Sequence, residues 1–158
     1  MATKKQAEQA LEEFKRYLCL DAMPTLEELK ISESKTLDDI WANQKYFPGS
    51  VNGNWNTGVY FILDADDEII YIGKASNSNA IGVRLSGYFE TDPKDKFTWR
   101  LSTHGEHKFK NCNSPAAISV IVISDYQFSW IAPALEEYLI KNLDPAANTV
   151  GKRKSQNG

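Results

Sequence analysis

Two short runs of β-branched and aromatic residues, Gly58–Leu63 and Ile69–Ile72, flank the acidic stretch Asp64–Asp67. Val59, Phe61 and Leu63 alternate with Tyr60 and Ile62, the period of a strand, and the break falls on residues that favour turns. The pattern predicts an antiparallel hairpin. A loop confined to Asp64–Asp67 places Leu63 opposite Glu68 and Tyr60 opposite Tyr71, so both tyrosines emerge on one surface. A one-residue slip would turn one of them away.

Helical signals surround this hairpin. Ala7, Leu11, Phe14 and Leu18 form an apolar stripe of period 3.6 over residues 3–20. A short helix is expected near Thr25–Lys30, and another over Thr36–Gln44, where Thr36 and Asp39 make a capping-box-like start. Pro48-Gly49-Ser50 and Asn52-Gly53-Asn54 mark a loop. Beyond the hairpin, Asn77–Asn79 read as the cap of a helix reaching Phe89, with Ile81, Leu85 and Tyr88 inward. Residues 90–115 are polar and lysine-rich and carry no clear period. Ala117–Ser124 is a nearly continuous apolar run, expected to be a central strand. Pro133 suits the first turn of a last helix ending near Asn142, with Ile131, Leu135, Tyr138 and Leu139 inward and Pro145 as its stop.

The expected architecture is α+β: a small, mainly antiparallel three-stranded sheet flanked by helices, with an added N-terminal helical segment. Residues 1–56 would pack on a core of residues 57–150, followed by a basic polar tail at 151–158. A chain of 158 residues makes one domain rather than two. Its longest apolar run, Ala116–Ile123, is interrupted by Ser119 and falls far short of the roughly 20 residues a membrane helix needs. Lys4 and Lys5 lead into an amphipathic stretch rather than an apolar leader, and Cys19 and Cys112 make no disulfide framework. A soluble, cytoplasmic domain with no membrane partner is expected. The net charge of −3 argues against coating long nucleic acid by bulk electrostatics, so any anion site must be a local patch. Lys152, Arg153 and Lys154 cluster at the end of the chain.

Several familiar chemistries fail on spacing. Gly73-Lys74 is not a phosphate-binding P-loop, because Glu68 stands where that motif needs glycine and Ala75 where it needs Ser or Thr. His104, His107 and Cys112 offer three zinc-type ligands, but a closed structural site needs a fourth, and no paired cysteines accompany them. No G-x-S-x-G nucleophile turn is present.

What remains is an ordered constellation. Gly58-Val59-Tyr60 and Tyr71-Ile72-Gly73-Lys74 lie on the paired strands, Arg84-Leu85-Ser86-Gly87-Tyr88-Phe89 follows on a helix, and Glu136 precedes Leu139-Ile140, Pro145 and Asn148. Over residues 57–150 the chain resembles the GIY-YIG nuclease superfamily, and is similar to the short nuclease core of excision-repair nucleases. The first motif departs at Val59, which replaces isoleucine in a volume-similar apolar swap. The segment between Lys74 and Arg84 is slightly long for the pattern.

The resemblance implies a metal-dependent endonuclease that hydrolyses phosphodiester bonds in DNA, with RNA left open, using one Mg²⁺ or Mn²⁺. Carried over to this chain, Glu136 would hold the cation and Arg84 would grip the scissile phosphate. Tyr60 would orient or deprotonate the attacking water, with Tyr71 beside it. Lys74 and Asn148 would complete a phosphate-binding pocket, and Gly73 would allow close backbone approach. These residue types suit that chemistry. A hard cation prefers carboxylate oxygen and keeps several waters, so one protein ligand suffices. An arginine fork matches phosphate oxygens. A tyrosine, with an ordinary pKa of about 10, needs a nearby cation before it serves as a base.

Each residue taken alone also has an ordinary structural use: tyrosines in a hairpin, a strand-end glycine, an arginine lying along its helix, a turn asparagine. The ordered set is what carries the functional reading. Glu136 and Glu137 separate without the resemblance. Glu137 has Lys141 four residues on, a solvated pair, whereas Glu136 has Ala132 and Ile140 at those spacings and so lacks a partner on its own helix. Val51–Thr57 and Thr91–Pro115 flank the site in sequence, and in the second Lys94, Lys96, Arg100, Lys108 and Lys110 interleave with Phe97, Trp99 and Phe109. These could contact nucleic-acid backbone and stack on bases, or equally form an ordinary solvated insertion that the aromatics anchor. Two other classes compete: a catalytically silent binding module of the same fold, and a protein-interaction domain docking through its N-terminal helix. The sequence sets neither the oligomeric state, a monomer included, nor the pathway.

Overall fold

The computed structural model describes residues 1–48, 50–51, 54–76 and 80–149, with 50, 51, 54 and 55 described by backbone alone. The first part of the chain contains β1 (Ala2–Thr3), α1 (Lys4–Lys15), a 3-10 turn (Pro24–Glu28), β2 (Lys35–Thr36), α2 (Leu37–Ala42), β3 (Ser50–Val51) and β4 (Asn54–Trp55). The second part contains β5 (Thr57–Leu63), β6 (Glu68–Ala75), α3 (Ile81–Leu85), β7 (Phe89–Asp92), β8 (Asp95–Leu101), α4 (Thr103–Phe109), β9 (Ala117–Ile123), a 3-10 turn (Tyr126–Phe128) and α5 (Ile131–Leu143). The fold is α+β with a mainly antiparallel sheet. No helix among the described residues is long and apolar enough to cross a membrane.

The hairpin β5–β6 forms, but in a different register from the expected one. Tyr60 lies opposite Gly73, Ile62 opposite Tyr71, and Leu63 opposite Ile69. Two local features cause this. The Asp64 N–H donates to the Glu68 carbonyl at 2.9 Å and Asp67 sits at φ 60°, which shifts the pairing by one residue. A β-bulge between Ile62 and Leu63 then leaves Ile70 without an opposite number and adds a second shift. Two shifts restore parity, so Tyr60 and Tyr71 still share one face, now as diagonal neighbours with ring centroids 6.1 Å apart.

The main sheet has five strands in the order β1-β6-β5-β9-β2, which corrects the expected three. The two additional strands come from the N-terminal segment. β1 pairs with the start of β6 (Ala2 opposite Ile69) and β2 with the start of β9 (Lys35 opposite Ile118). Residues 1–56 therefore extend the sheet as well as cover it. The capping chemistry that fixes them is local. Thr3 and Gln6 form a capping box on α1, and the Thr36 hydroxyl accepts from the Asp39 N–H on α2. α1 stops at Lys15, short of the expected residue 20, and the short helix expected near Thr25–Lys30 is a 3-10 helix over Pro24–Glu28.

Both faces of the sheet are covered. On one, Val59, Phe61, Ile72 and Ile121 pack against Leu11 and Phe14 of α1 and Leu135 and Leu139 of α5. On the other, Tyr60, Ile62, Tyr71 and Val120 pack against Leu37, Ile81 and Leu85, with Tyr88, Phe89 and Phe109 beyond them. β9 is an interior strand between β5 and β2, as its apolar run requires. β5 is buried along its whole length and carries the sheet's one strained backbone position. Gly58 has φ +149°, and a Cβ there would collide with the Ile121 carbonyl.

The helix expected to reach Phe89 is shorter. It ends at Leu85, turns through Ser86–Tyr88, and Phe89 begins a strand. Its N-cap is Ala80, which makes no side-chain cap; the expected cap at Asn77–Asn79 lies outside the described residues. So do Gly49, Asn52 and Gly53 of the expected loop, and the basic tail from residue 151. The unassigned stretch 90–115 folds as the hairpin β7–β8 followed by α4. The Trp99 indole N–H donates to Asp38 at 2.7 Å and that of Trp41 to Thr91 at 3.2 Å, tying the hairpin to α2. After α5, which Asp144 ends in the left-handed conformation at φ 48°, the chain returns along the open edge of β6.

Candidate active site

Tyr60, Tyr71, Lys74, Arg84 and Glu136 line one cleft of about 330 Å³. They come from β5, β6, α3 and α5, and their meeting follows from the register. Val59 is opposite Lys74, so Lys74 points to the face that α5 covers, while Tyr60 and Tyr71 point to the other. β1 pairs β6 only at residues 68 and 69, and beyond it Ala147 and Asn148 take up Ile70 and Ile72. The site lies at the end of this edge, around Lys74.

Glu136 sits at the junction. Its side chain is 20% exposed, and its Oε2 lies 3.9 Å from the Lys74 ammonium. Burial pushes its carboxyl above the ordinary value, Glu137 adds to this, and Lys74, Arg84 and Lys108 pull against it. Glu137 is exposed and holds Lys141 at 3.0 Å, the solvated pair its spacing predicts. Among the described residues Glu136 accepts no hydrogen bond. Its oxygens are open to a cation.

Arg84 is exposed and donates through Nε to the Lys74 carbonyl at 3.4 Å. Among the described residues it has no ion pair, so the two Nη groups of its fork remain open to the cleft. Tyr60 and Tyr71 are buried. Burial, then Tyr71 and Tyr88, push the Tyr60 hydroxyl far above its ordinary value, outweighing the pull of Arg84. Tyr71 is raised chiefly by burial, then by its hydrogen bond from Tyr88. Both are neutral phenols near neutral pH.

Two of the expected binding residues have structural uses. Gly73 stands opposite Tyr60, and a Cβ there would overlap the Tyr60 ring, so its role is to make room for that ring. Asn148 is buried. Its Oδ1 accepts from the Ile72 N–H and its Nδ2 donates to the Ile72 carbonyl, both at 2.8 Å. The side-chain amide is therefore occupied by backbone, although the residue lines a neighbouring cleft.

Sequence reasoning missed Tyr88 and His104 as site residues. The Tyr88 hydroxyl donates to that of Tyr71 at 3.2 Å, and the His104 ring stacks on Tyr88 at 5.1 Å. Both residues line the cleft. Lys108 was placed only among general backbone contacts, yet its ammonium lies 4.6 Å from the Tyr71 ring centre. Tyr88 carried only a core-facing signal, while α4, which brings in His104 and Lys108, had no readable period.

The donor set suits one kind of cation. Among the described residues no three His, Cys, Asp or Glu side chains gather, so an all-protein cage does not fit. One half-buried carboxylate, held only by the long Lys74 pair and set beside neutral hydroxyls, fits a hard ion that keeps most of its water. Comparison with protein-family models, with curated proteins and with solved structures finds no match.

Proposed function

We propose that the chain is a metal-dependent endonuclease of the GIY-YIG type that hydrolyses phosphodiester bonds in DNA. The observation that carries this reading is the convergence of Tyr60, Tyr71, Arg84 and Glu136, distant in sequence, on one cleft. An antiparallel sheet flanked by helices agrees with it.

The residues divide the work by their chemistry. Arg84 offers an open planar fork to the scissile phosphate. Lys74 adds a point charge and pulls the neighbouring carboxylate toward its ionised form, against its burial. Glu136 holds Mg²⁺ or Mn²⁺, which supplies Lewis acidity toward the phosphate and its leaving oxygen when bound. Tyr60, buried and neutral, positions the attacking water through its hydroxyl, and Tyr71 and Tyr88 fix that hydroxyl's surroundings.

A catalytically silent DNA-binding module of the same fold is the second reading. The burial of the tyrosine cluster favours it, because it opposes phenolate formation. A cleavage assay at low salt decides between them, with supercoiled, linear and branched DNA, Mg²⁺ or Mn²⁺, and EDTA and Glu136→Ala controls. Cleavage abolished in both controls supports the nuclease. Folded protein that binds DNA but cuts none of the three substrates supports the module.

A further inference from the structure

A second cleft, of about 710 Å³, lies on the other side of Glu136 from the first. Tyr71, Lys74 and Glu136 line both, so the candidate metal carboxylate stands on the ridge between them. Trp130 and Pro133 also line the second cleft, as does Lys108, whose ammonium lies over the Tyr71 ring. Trp130 is 59% exposed. Its two counterparts with described side chains are engaged: Trp41 packs on Phe47 and bonds Thr91, and Trp99 packs on Phe89 and bonds Asp38. Among the described residues the Trp130 indole has neither a ring partner nor a hydrogen bond.

We infer that this cleft holds an unpaired nucleotide adjoining the scissile phosphate, with its base stacked on Trp130 and its phosphate between Lys74 and Lys108. The inference rests on the nuclease reading for the position of the scissile phosphate. An indole face recognises the face of a base, and in a continuous duplex that face is covered by neighbouring bases. Two lysines beside an apolar wall complement a phosphate next to a ring. The substrate class that follows is DNA with a single-stranded nucleotide at the cut, as in a flap, a frayed end or a branch.

The test reads binding apart from cleavage. Fluorescein-labelled oligothymidylate and a blunt hairpin duplex are titrated with full-length protein in EDTA, and anisotropy gives each affinity. The single strand is expected to bind more tightly. Trp130→Ala should weaken single-strand binding about tenfold, within the range for one base stacked on an aromatic ring, and leave duplex binding unchanged. Trp130→Phe should retain most of the affinity, since a smaller aromatic face still stacks. Single-strand binding unaffected by Trp130→Ala overturns the inference. So does equal weakening of both probes, or wild-type protein that binds neither. Cleavage in Mg²⁺ is scored separately: Trp130-dependent binding without cleavage sinks the nuclease and not the subsite, and cleavage indifferent to Trp130 does the reverse.

Discussion

The amide of Asn148 meets the backbone of Ile72 twice, accepting from its N–H and donating to its carbonyl at 2.8 Å each. One residue earlier, the Ala147 N–H donates to the Ile70 carbonyl at 2.8 Å. A returning segment thus stands in for a strand along the open edge of β6, beside the candidate site. Buried backbone groups need partners, and here one side chain supplies two of them.

Asn148→Ala is therefore expected to destabilise the fold by about 2 kcal/mol or more, because both buried Ile72 groups lose their partners. Urea denaturation measures it. A variant of unchanged stability that fails to cleave would instead make Asn148 a substrate ligand.

Glu136→Ala should lower metal-dependent cleavage about a thousandfold, equivalent to several kcal/mol of transition-state stabilisation, with little change in the unfolding midpoint. Glu137→Ala should leave turnover near wild type, because Glu137 is exposed, pairs with Lys141 in solvent and is a minor cause of the Glu136 shift. Equal turnover in the two variants would refute the assignment.

Arg84→Lys keeps the charge and loses the fork. Turnover should fall about a hundredfold, the scale set by removing one preorganised transition-state contact. Arg84 is exposed, so circular dichroism and thermal midpoint should not move. Full activity in this variant would show that the fork is not used.

On the nuclease reading, cleavage and Mg²⁺ affinity would both require ionised Glu136. Burial raises its pKa above 4.5, so both should rise with pH along an acid limb centred above that value. Lys74 pulls this pKa down. Lys74→Met should therefore move the limb to higher pH, and a pH profile of metal affinity reads the shift apart from any effect on DNA binding. A limb that stays in place would separate Lys74 from Glu136.

Much of this arrangement was legible in local pattern. Period-two alternation and an acidic turn define the β5–β6 hairpin, and the Thr36 hydroxyl caps α2 as its position suggests. Helical spacing alone separates Glu137, paired with Lys141, from Glu136, which has no such partner on its helix. The shared face of Tyr60 and Tyr71 survived a wrong register because the turn and the bulge each shift the pairing by one, and parity is all that face requires.

The remaining features depend on contacts between segments far apart in the chain. Ala2–Thr3 and Lys35–Thr36 become edge strands only because β6 and β9 offer unpaired backbone beside them. The Asn148 amide is taken up by the same need at Ile72. His104, Lys108 and Trp130 reach the two clefts through the positions of α4 and α5, and Tyr88 through the turn after α3, which no single period records. A local pattern specifies which face a residue occupies, because that depends on dihedral period alone. What lies across from it is chosen by the backbone groups and apolar surfaces still unsatisfied once the chain has collapsed.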